Sequence, residues 1–348
     1  MTDPTYATRA AELRTRHEAL AATGPVARAR NLALALGVSE AEWVAAQCGG
    51  LRAVPLAGTP QAIFKELGSL GEVMALTRND WCVHERHGCY EDIQAEGAVG
   101  LVLGPDIDLR VFFGQWRHAW AVEQDGRHSL QFFDMAGQAV HKVYRTEGTE
   151  AAAYDALVAK RAGEPYWPEP EAYPAAEAPA PIADAAAFRQ AWLAMEDTHE
   201  FFPLLRRFKA ARLDALRVAG TDLAQPVDAD AVERMLQGAA ASGLPIMCFV
   251  GNRGMIQIHS GPVANLRRTG PWFNVLDPRF NLHLDTTAID SAWVVAKPTR
   301  DGWVTSLELY AANGDLIVQF FGARKPGQPE LGGWRDLLKG LCSQPLAA

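Results

Sequence analysis

The decapeptide WCVHERHGCY, Trp81 to Tyr90, holds Cys82, His84, His87 and Cys89. These are side chains of the kind that bind zinc, which takes four nitrogen or sulfur ligands in a tetrahedron. The spacing Cys-x-His-x-x-His-x-Cys matches no common finger or knuckle. It reads instead as a strand, an ERHG turn and a second strand, with Cys82 and His84 on one face and His87 in the turn. Such a hairpin does not bring the four groups to one point, so a zinc protein built on them is the outside reading. A second candidate is His199, in FRQAWLAMEDTHEFFPLLRRFKAARLDALR. Phe188, Trp192, Met195, His199 and Phe202 recur at spacings of four, three, four and three, which is one face of an α-helix. Pro203 demands a kink or a new helix start nearby. A histidine at such a break, ringed by Met and Phe, suits axial ligation of a flat apolar cofactor. The plainer alternative is a core histidine donating to a carbonyl.

The elements that must position these groups fall into two halves. Between Gly163 and Asp184 the chain reads GEPYWPEPEAYPAAEAPAPIAD, where proline blocks both helix and sheet. This is a semi-extended linker, and Tyr166, Trp167 and Tyr173 place its first part against a surface. The segments on either side resemble each other. VMALTRNDWCVHERHG from Val73 aligns with IMCFVGNRGMIQIHSG from Ile246. GPDIDLRVFFGQWRHAW, ending at Trp120, aligns with DPRFNLHLDTTAIDSAW, ending at Trp293. SLQFFDMAGQAV from Ser129 aligns with SLELYAANGDLI from Ser306. The order is kept and the offset drifts only from 173 to 177. A tandem duplication follows, with an N-terminal repeat over 1–162, the Pro-rich linker over 163–184 and a C-terminal repeat over 185–348.

Each repeat opens with helical patterns; Asp184 is placed to cap the first helix of the second. After Val73 and Ile246 the period shortens toward two, with turns at RHG, GPD, QDG, RDG and ANG. Strands joined by short turns form antiparallel sheet. The expected class is α+β: a tandem duplication, each half a large antiparallel β-sheet with flanking helices.

With 348 residues, a formal charge of −8 and about half its residues apolar, the chain reads as globular and acidic, which disfavours a broad nucleic-acid face. No apolar run is long enough to span a bilayer. The opening MTDPTYATRAAELRTRHEAL lacks a signal-peptide core, and the odd number of cysteines argues against a full disulfide framework. Both lead to the expectation of a cytoplasmic protein with reduced thiols.

VMALTRND and CVHE, DLRVFFGQW, DTHEFF and SLELYAANG with FFGAR together resemble the HemS/ChuS/HmuS family of cytoplasmic hemin-binding and hemin-degrading (hemin transport) proteins. The resemblance runs through nearly the whole chain. It implies two similar α+β halves with heme as the bound group, in a role in heme uptake and iron release. His199 takes the proximal iron-ligand role. Arg110, from the DLR motif in the first half, takes the distal, catalytic role; His283 aligns with it in the second repeat, as a weak candidate for a second contact. Arg212, Lys297 and Arg324, with Gln319 nearby, fall on the propionate side. Phe321 stands where family members often carry tyrosine. The implied partners are an inner-membrane heme transporter or a downstream heme oxygenase. Oxidative degradation of heme and non-catalytic carriage both fit these residues.

Overall fold

The computed structural model describes residues 4–22, 29–48, 52–175, 178–325 and 327–347; residues 176–177 of the linker lie outside the described residues. The chain forms two compact units. The first takes Met1–Arg78, Glu85–Pro174 and Gly251–Gln257; the second takes Asn79–His84, Ala175–Val250 and Ile258–Ala348.

The first unit begins with α1 (Pro4–Ala21), α2 (Ala29–Leu36) and α3 (Glu40–Ala45), then β1 (Ala53–Pro55) and α4 (Pro60–Phe64). Strands β2 (Gly71–Arg78), β3 (Cys82–Gly88, whose residues up to His84 belong to the second unit), β4 (Ile93–Gln94), β5 (Val99–Leu103), β6 (Asp108–Phe112), β7 (Trp116–Gln124), β8 (Arg127–Asp134) and β9 (Ala139–Thr149) follow, and α5 (Ala151–Arg161) closes the repeat. Strands β1, β7, β8, β9 and β2 pair in that order, all antiparallel, while β4, β5 and β6 form a separate meander.

The second unit opens with α6 (Ala185–Leu193), α7 (Phe201–Arg207), α8 (Arg212–Val218), β10 (Ala224–Val227) and α9 (Ala231–Ser242). Then come β11 (Ile246–Gly251), β12 (Met255–Gly261, whose residues up to Gln257 belong to the first unit), β13 (Leu266–Thr269), β14 (Trp272–Asp277), β15 (Phe280–Asp285), β16 (Ser291–Thr299), β17 (Gly302–Tyr310), β18 (Leu316–Gly322) and α10 (Gly332–Lys339). Strands β10, β16, β17, β18 and β11 repeat the first antiparallel order, and β13, β14 and β15 repeat the meander. The registers match as well. Trp120 pairs with Gln131 and Gln131 with Lys142; Trp293 pairs with Glu308 and Glu308 with Gln319. The α+β duplication expected from the sequence is what the chain folds into.

Strand alternation gives each sheet two covered faces. In the second unit, Trp293, Val295 and Tyr310 pack with Phe188, Trp192, Leu205 and Leu216 of α6, α7 and α8. Ala292, Val294, Leu307 and Leu309 look the other way, onto Met235 of α9 and Trp334 of α10. In the first unit, Trp120, Val122 and Phe133 pack under α1, α2 and α3, while Ala119, Ala121, Leu130 and Phe132 pack with Phe64 of α4 and Leu157 of α5. A matching asparagine serves each unit. Asn252 donates to the carbonyls of Arg78 and Val140, both at 2.9 Å, and Asn79, its counterpart, donates to the carbonyl of Ile317 at 2.8 Å. The linker does lie on a surface: Tyr166 stacks on Trp120 with 5.3 Å between ring centroids, and Tyr173 donates to Asp134 at 2.6 Å.

Two local expectations are corrected. The ERHG segment is no turn; it lies inside β3, which runs unbroken from Cys82 to Gly88. The continuous helix through His199 is also absent. α6 starts where expected, with Asp184 accepting from the Ala187 N–H, but it ends at Leu193 and a new turn begins at Thr198. Pro203 has no N–H to give the His199 carbonyl, so a helix cannot hydrogen-bond through this point. Asp197 and Glu200 bind nearby backbone N–H groups, which competes with helix continuation. The reset moves Phe201 into the core and leaves Phe202 64 % exposed.

A buried ion pair of the first unit joins Lys142 Nζ to Glu40 Oε2 at 2.9 Å. Glu40→Gln strands the Lys142 ammonium and is expected to cost about 3–5 kcal/mol in denaturant unfolding, most of it recovered by adding Lys142→Met. Burial alone would raise the Glu40 pKa, but Lys142 outweighs it and holds the carboxyl below the ordinary value of 4.5. A depressed carboxylate stabilises above its unfolded pKa and loses that contribution as pH falls through the lower folded value. The wild type therefore loses stability more steeply than the double variant below about pH 4.5.

Candidate functional site

Ser306, Glu308 and Tyr310 alternate onto the face of β17 that meets α6, α7 and α8. Glu308 is 0 % exposed, and a carboxylate so placed must be satisfied by donors. Its Oε1 accepts from Arg212 Nη2 at 2.8 Å, Lys297 Nζ at 2.9 Å, Gln319 Nε2 at 2.9 Å and Ser306 Oγ at 3.0 Å. Its Oε2 accepts from Arg212 Nε at 3.0 Å and Tyr310 OH at 2.5 Å. Arg212 Nε also reaches Tyr310 OH at 2.9 Å. Three residues singled out from the sequence, Arg212, Lys297 and Gln319, thus converge on one that was not. Glu308 had a signal of its own: an ionisable residue in the otherwise apolar alternation of SLELY, two positions from Ser306 and from Tyr310.

Burial alone would push the Glu308 carboxyl up. The fields of Arg212 and Lys297, with the hydrogen bonds from Arg212 and Tyr310, outweigh it and hold the carboxyl well below the usual range. Lys297 is shifted down by burial and by Arg212, with Glu308 pulling the other way. Two cations against one carboxylate leave the cluster net positive. Both cations also lie over the Phe201 ring, Lys297 Nζ at 4.7 Å and Arg212 Cζ at 5.0 Å from its centroid, a favourable placement for cations. Phe201 opens α7, two residues beyond His199.

His199 is not in the core. Its side chain is 88 % exposed, so the alternative of a core histidine is overturned along with the helix stripe. Asp197 Oδ1 accepts from the His199 backbone N–H at 2.8 Å and lies 2.6 Å from Nδ1. With the ionised carboxylate as acceptor, Nδ1 carries the proton and Nε2 keeps its lone pair. The His199 backbone N–H, then the imidazole and Arg324, hold Asp197 below the usual aspartate range against the effect of burial. The loop is pinned by Arg300, whose Nε donates to Glu196 at 2.6 Å.

Arg324 follows β18. It pairs with Asp301 at 3.5 Å, and its Nη1 is buried without a hydrogen-bond partner. Phe321 packs edge-on against Phe249, centroids 5.1 Å apart, and Met247 is the register partner of Phe321. Met247, Phe249 and Phe321 are all only half-buried, so they form an apolar strip on the sheet. The sequence reading missed Met247 and Phe249; their alternation with buried Ile246, Cys248 and Val250 was the available signal.

The remaining candidates sit elsewhere. Arg110 lies on β6 of the first unit, ion-paired with Asp108. His283 on β15 of the second unit has its Nδ1 2.7 Å from Asn274 Oδ1. Along β3, Cys82 and His84 share one face and His87 takes the other. Among the described residues no group of three or more His, Cys, Asp or Glu side chains is arranged to hold a metal ion. In the first unit the position of Glu308 is taken by Gln131, and that of Gln319 by Lys142, whose carboxylate partner is Glu40 of α3.

The family model for the haemin-degrading HemS.ChuX domain matches residues 37–161 and 209–341, one match per repeat. The hemin transport protein HmuS of Yersinia pestis is 42 % identical over 328 residues, covering 92 % of this chain and 94 % of the relative. The crystal structure of holo-PhuS, a heme-binding protein from Pseudomonas aeruginosa, superposes with a TM-score of 0.92 at 47 % identity, covering 96 % of this chain and 99 % of the other. That of ChuS, an E. coli heme oxygenase, gives 0.84 at 36 % identity, covering 97 % and 99 %.

Asp197 both caps the turn and orients the imidazole. Asp197→Ala is expected to cost about 1 kcal/mol of stability and to speed hydrogen exchange at the His199 amide. Unchanged protection of that amide would show that the cap is not holding the loop.

Proposed function

Because the chain belongs to the haemin-degrading HemS.ChuX family, we propose that it binds hemin through His199 and serves heme uptake and iron release in the cytoplasm. The observation that carries this reading is the exposed imidazole whose Nδ1 is engaged by Asp197. A carboxylate on the far nitrogen fixes the tautomer and raises the basicity of the ligating one. The surrounding chemistry fits the rest of the group. The strip of Met247, Phe249 and Phe321 offers apolar and aromatic surface to a porphyrin ring. The net positive cluster around Glu308 and the unpartnered Nη1 of Arg324 suit its two carboxylates. Related proteins are described as hemin transport, heme-binding and heme oxygenase proteins. Five cysteines, all free thiols, suit a reducing compartment, and among the described residues no helix is long and apolar enough to cross a membrane.

When bound, hemin supplies the iron and, given a reductant and oxygen, the ring-opening chemistry. The chain's own residues bind and orient: His199 gives a lone pair, Asp197 holds the Nδ1 proton, and the basic residues engage carboxylates. The proposal extends to Arg110 in the catalytic role that the family resemblance gives it, as a guanidinium that would stabilise developing negative charge. Carriage to a separate heme oxygenase is the second reading. Phe321 favours it, since its ring lacks the hydroxyl that family members often carry there.

Purified protein is expected to take up about one equivalent of hemin with a sharp Soret band, and His199→Ala to weaken or shift that band. An unchanged spectrum in the variant rules the ligand out. Hemin-loaded protein supplied with reductant and oxygen should lose the band and form a bile pigment with catalase present, more slowly in Arg110→Ala. Loss only without catalase is peroxide damage, and the carrier reading then stands.

A further inference from the structure

Resting on the hemin reading, we infer that Glu308 is a positioning residue: its buried carboxylate locks Arg212 and Lys297 side by side so that their surplus positive charge is preset for the carboxylates of the ligand. The role follows from three features of the cluster. First, the two cations come from different elements, α8 and β16, and both point at one acceptor group. Without an anion between them they would repel, and each is long and flexible enough to swing away. Second, Glu308 is itself fixed. Ser306, Tyr310 and Gln319 hold its oxygens from the same sheet, so it behaves as a rigid template rather than a mobile counter-ion. Third, the template does not neutralise what it holds. One negative charge against two positive ones leaves an attraction for an incoming carboxylate.

The first repeat supports this by contrast. There the equivalent strand position carries the uncharged Gln131, and the buried carboxylate comes instead from α3, where Glu40 is ion-paired with Lys142 and also feels the charges of Arg30 and Arg78. A carboxylate on the strand itself, between cations from a helix and a neighbouring strand, is thus found in the second repeat, whereas the first has Gln131 at that position. Burying a glutamate beside a site for a dianion would otherwise oppose binding, since like charges repel. Its presence is explained when it arranges more positive charge than it cancels.

The test compares hemin with hemin dimethyl ester, which keeps the iron and the ring but has no carboxylates. Both are titrated by Soret absorbance in the same detergent-containing buffer, with the full chain. Wild type is expected to prefer hemin by about tenfold or more, the scale of a charge-assisted hydrogen bond. Glu308→Gln should bring the two affinities to within about twofold while leaving the ester affinity nearly unchanged, because only the charge-assisted bonds are lost. Glu308→Asp should restore part of the preference. Tyr310→Phe keeps the charge and removes one donor, so it should cut the preference by a smaller factor; if Glu308→Gln does not fold, this variant decides.

Equal weakening of both ligands with the preference kept would assign Glu308 a merely structural part and overturn the inference. So would a stronger preference in Glu308→Gln, which would make Glu308 a charge opposing the ligand. An unchanged preference in Tyr310→Phe, where that variant decides, also overturns it. Wild type that binds both ligands equally removes the inference but leaves the hemin reading intact. Wild type that binds neither removes that reading and this one with it.

Discussion

Taking the Glu308 carboxylate out of water costs several kcal/mol unless charge and hydrogen bonds offset the loss. The second unit meets that requirement with donors from α8, β16, β17 and β18 at once. The consequence reaches beyond one residue. Arg212 is fixed at the start of α8, Lys297 is kept beneath Phe201, and Phe201 sets the first turn of α7. His199 precedes that turn by a few atoms of backbone. The buried carboxylate and the exposed imidazole are thus parts of one local structure, linked through a phenyl ring that both cations overlie.

Duplication explains why the same scaffold appears twice, and divergence explains why only one copy carries this cluster. Both repeats keep the strand order, the register around Trp120 and Trp293, and an asparagine that ties a loop to a strand carbonyl. These are features of packing and backbone satisfaction, which any copy must retain to fold. The polar residues on the helix-covered face are under no such constraint. Gln131 and Lys142 replace Glu308 and Gln319, and Arg110 replaces His283, without altering the pairings that hold them.

The region around His199 separates local from tertiary information most sharply. Its apolar spacing is genuinely helical, and for Phe188, Trp192 and Met195 the burial follows. Beyond them the pattern misleads. The periodic rule assumes that backbone hydrogen bonds continue, and Pro203 together with the side chains of Asp197 and Glu200 breaks that assumption. The resulting shift of register exchanges Phe201 for Phe202 in the core and turns the imidazole outward. The ERHG misreading has a similar origin: Gly88 resembled a turn residue, yet a Cβ there would meet Asp106 at 2.5 Å, so glycine serves close packing within the strand.

By itself the sequence determined the class and the duplication, and it singled out His199 as the residue to propose, because periodicity, repeats and family motifs are written in one dimension. Tertiary structure alone decided which groups meet. Arg212 and Glu308 are far apart in the chain, and nothing local in either segment records their contact. Their pairing arises because α8 packs across β17, and a buried carboxylate there has no other way to be satisfied. The direction of the imidazole was decided in the same manner, by a cap and a missing N–H rather than by the spacing of apolar residues.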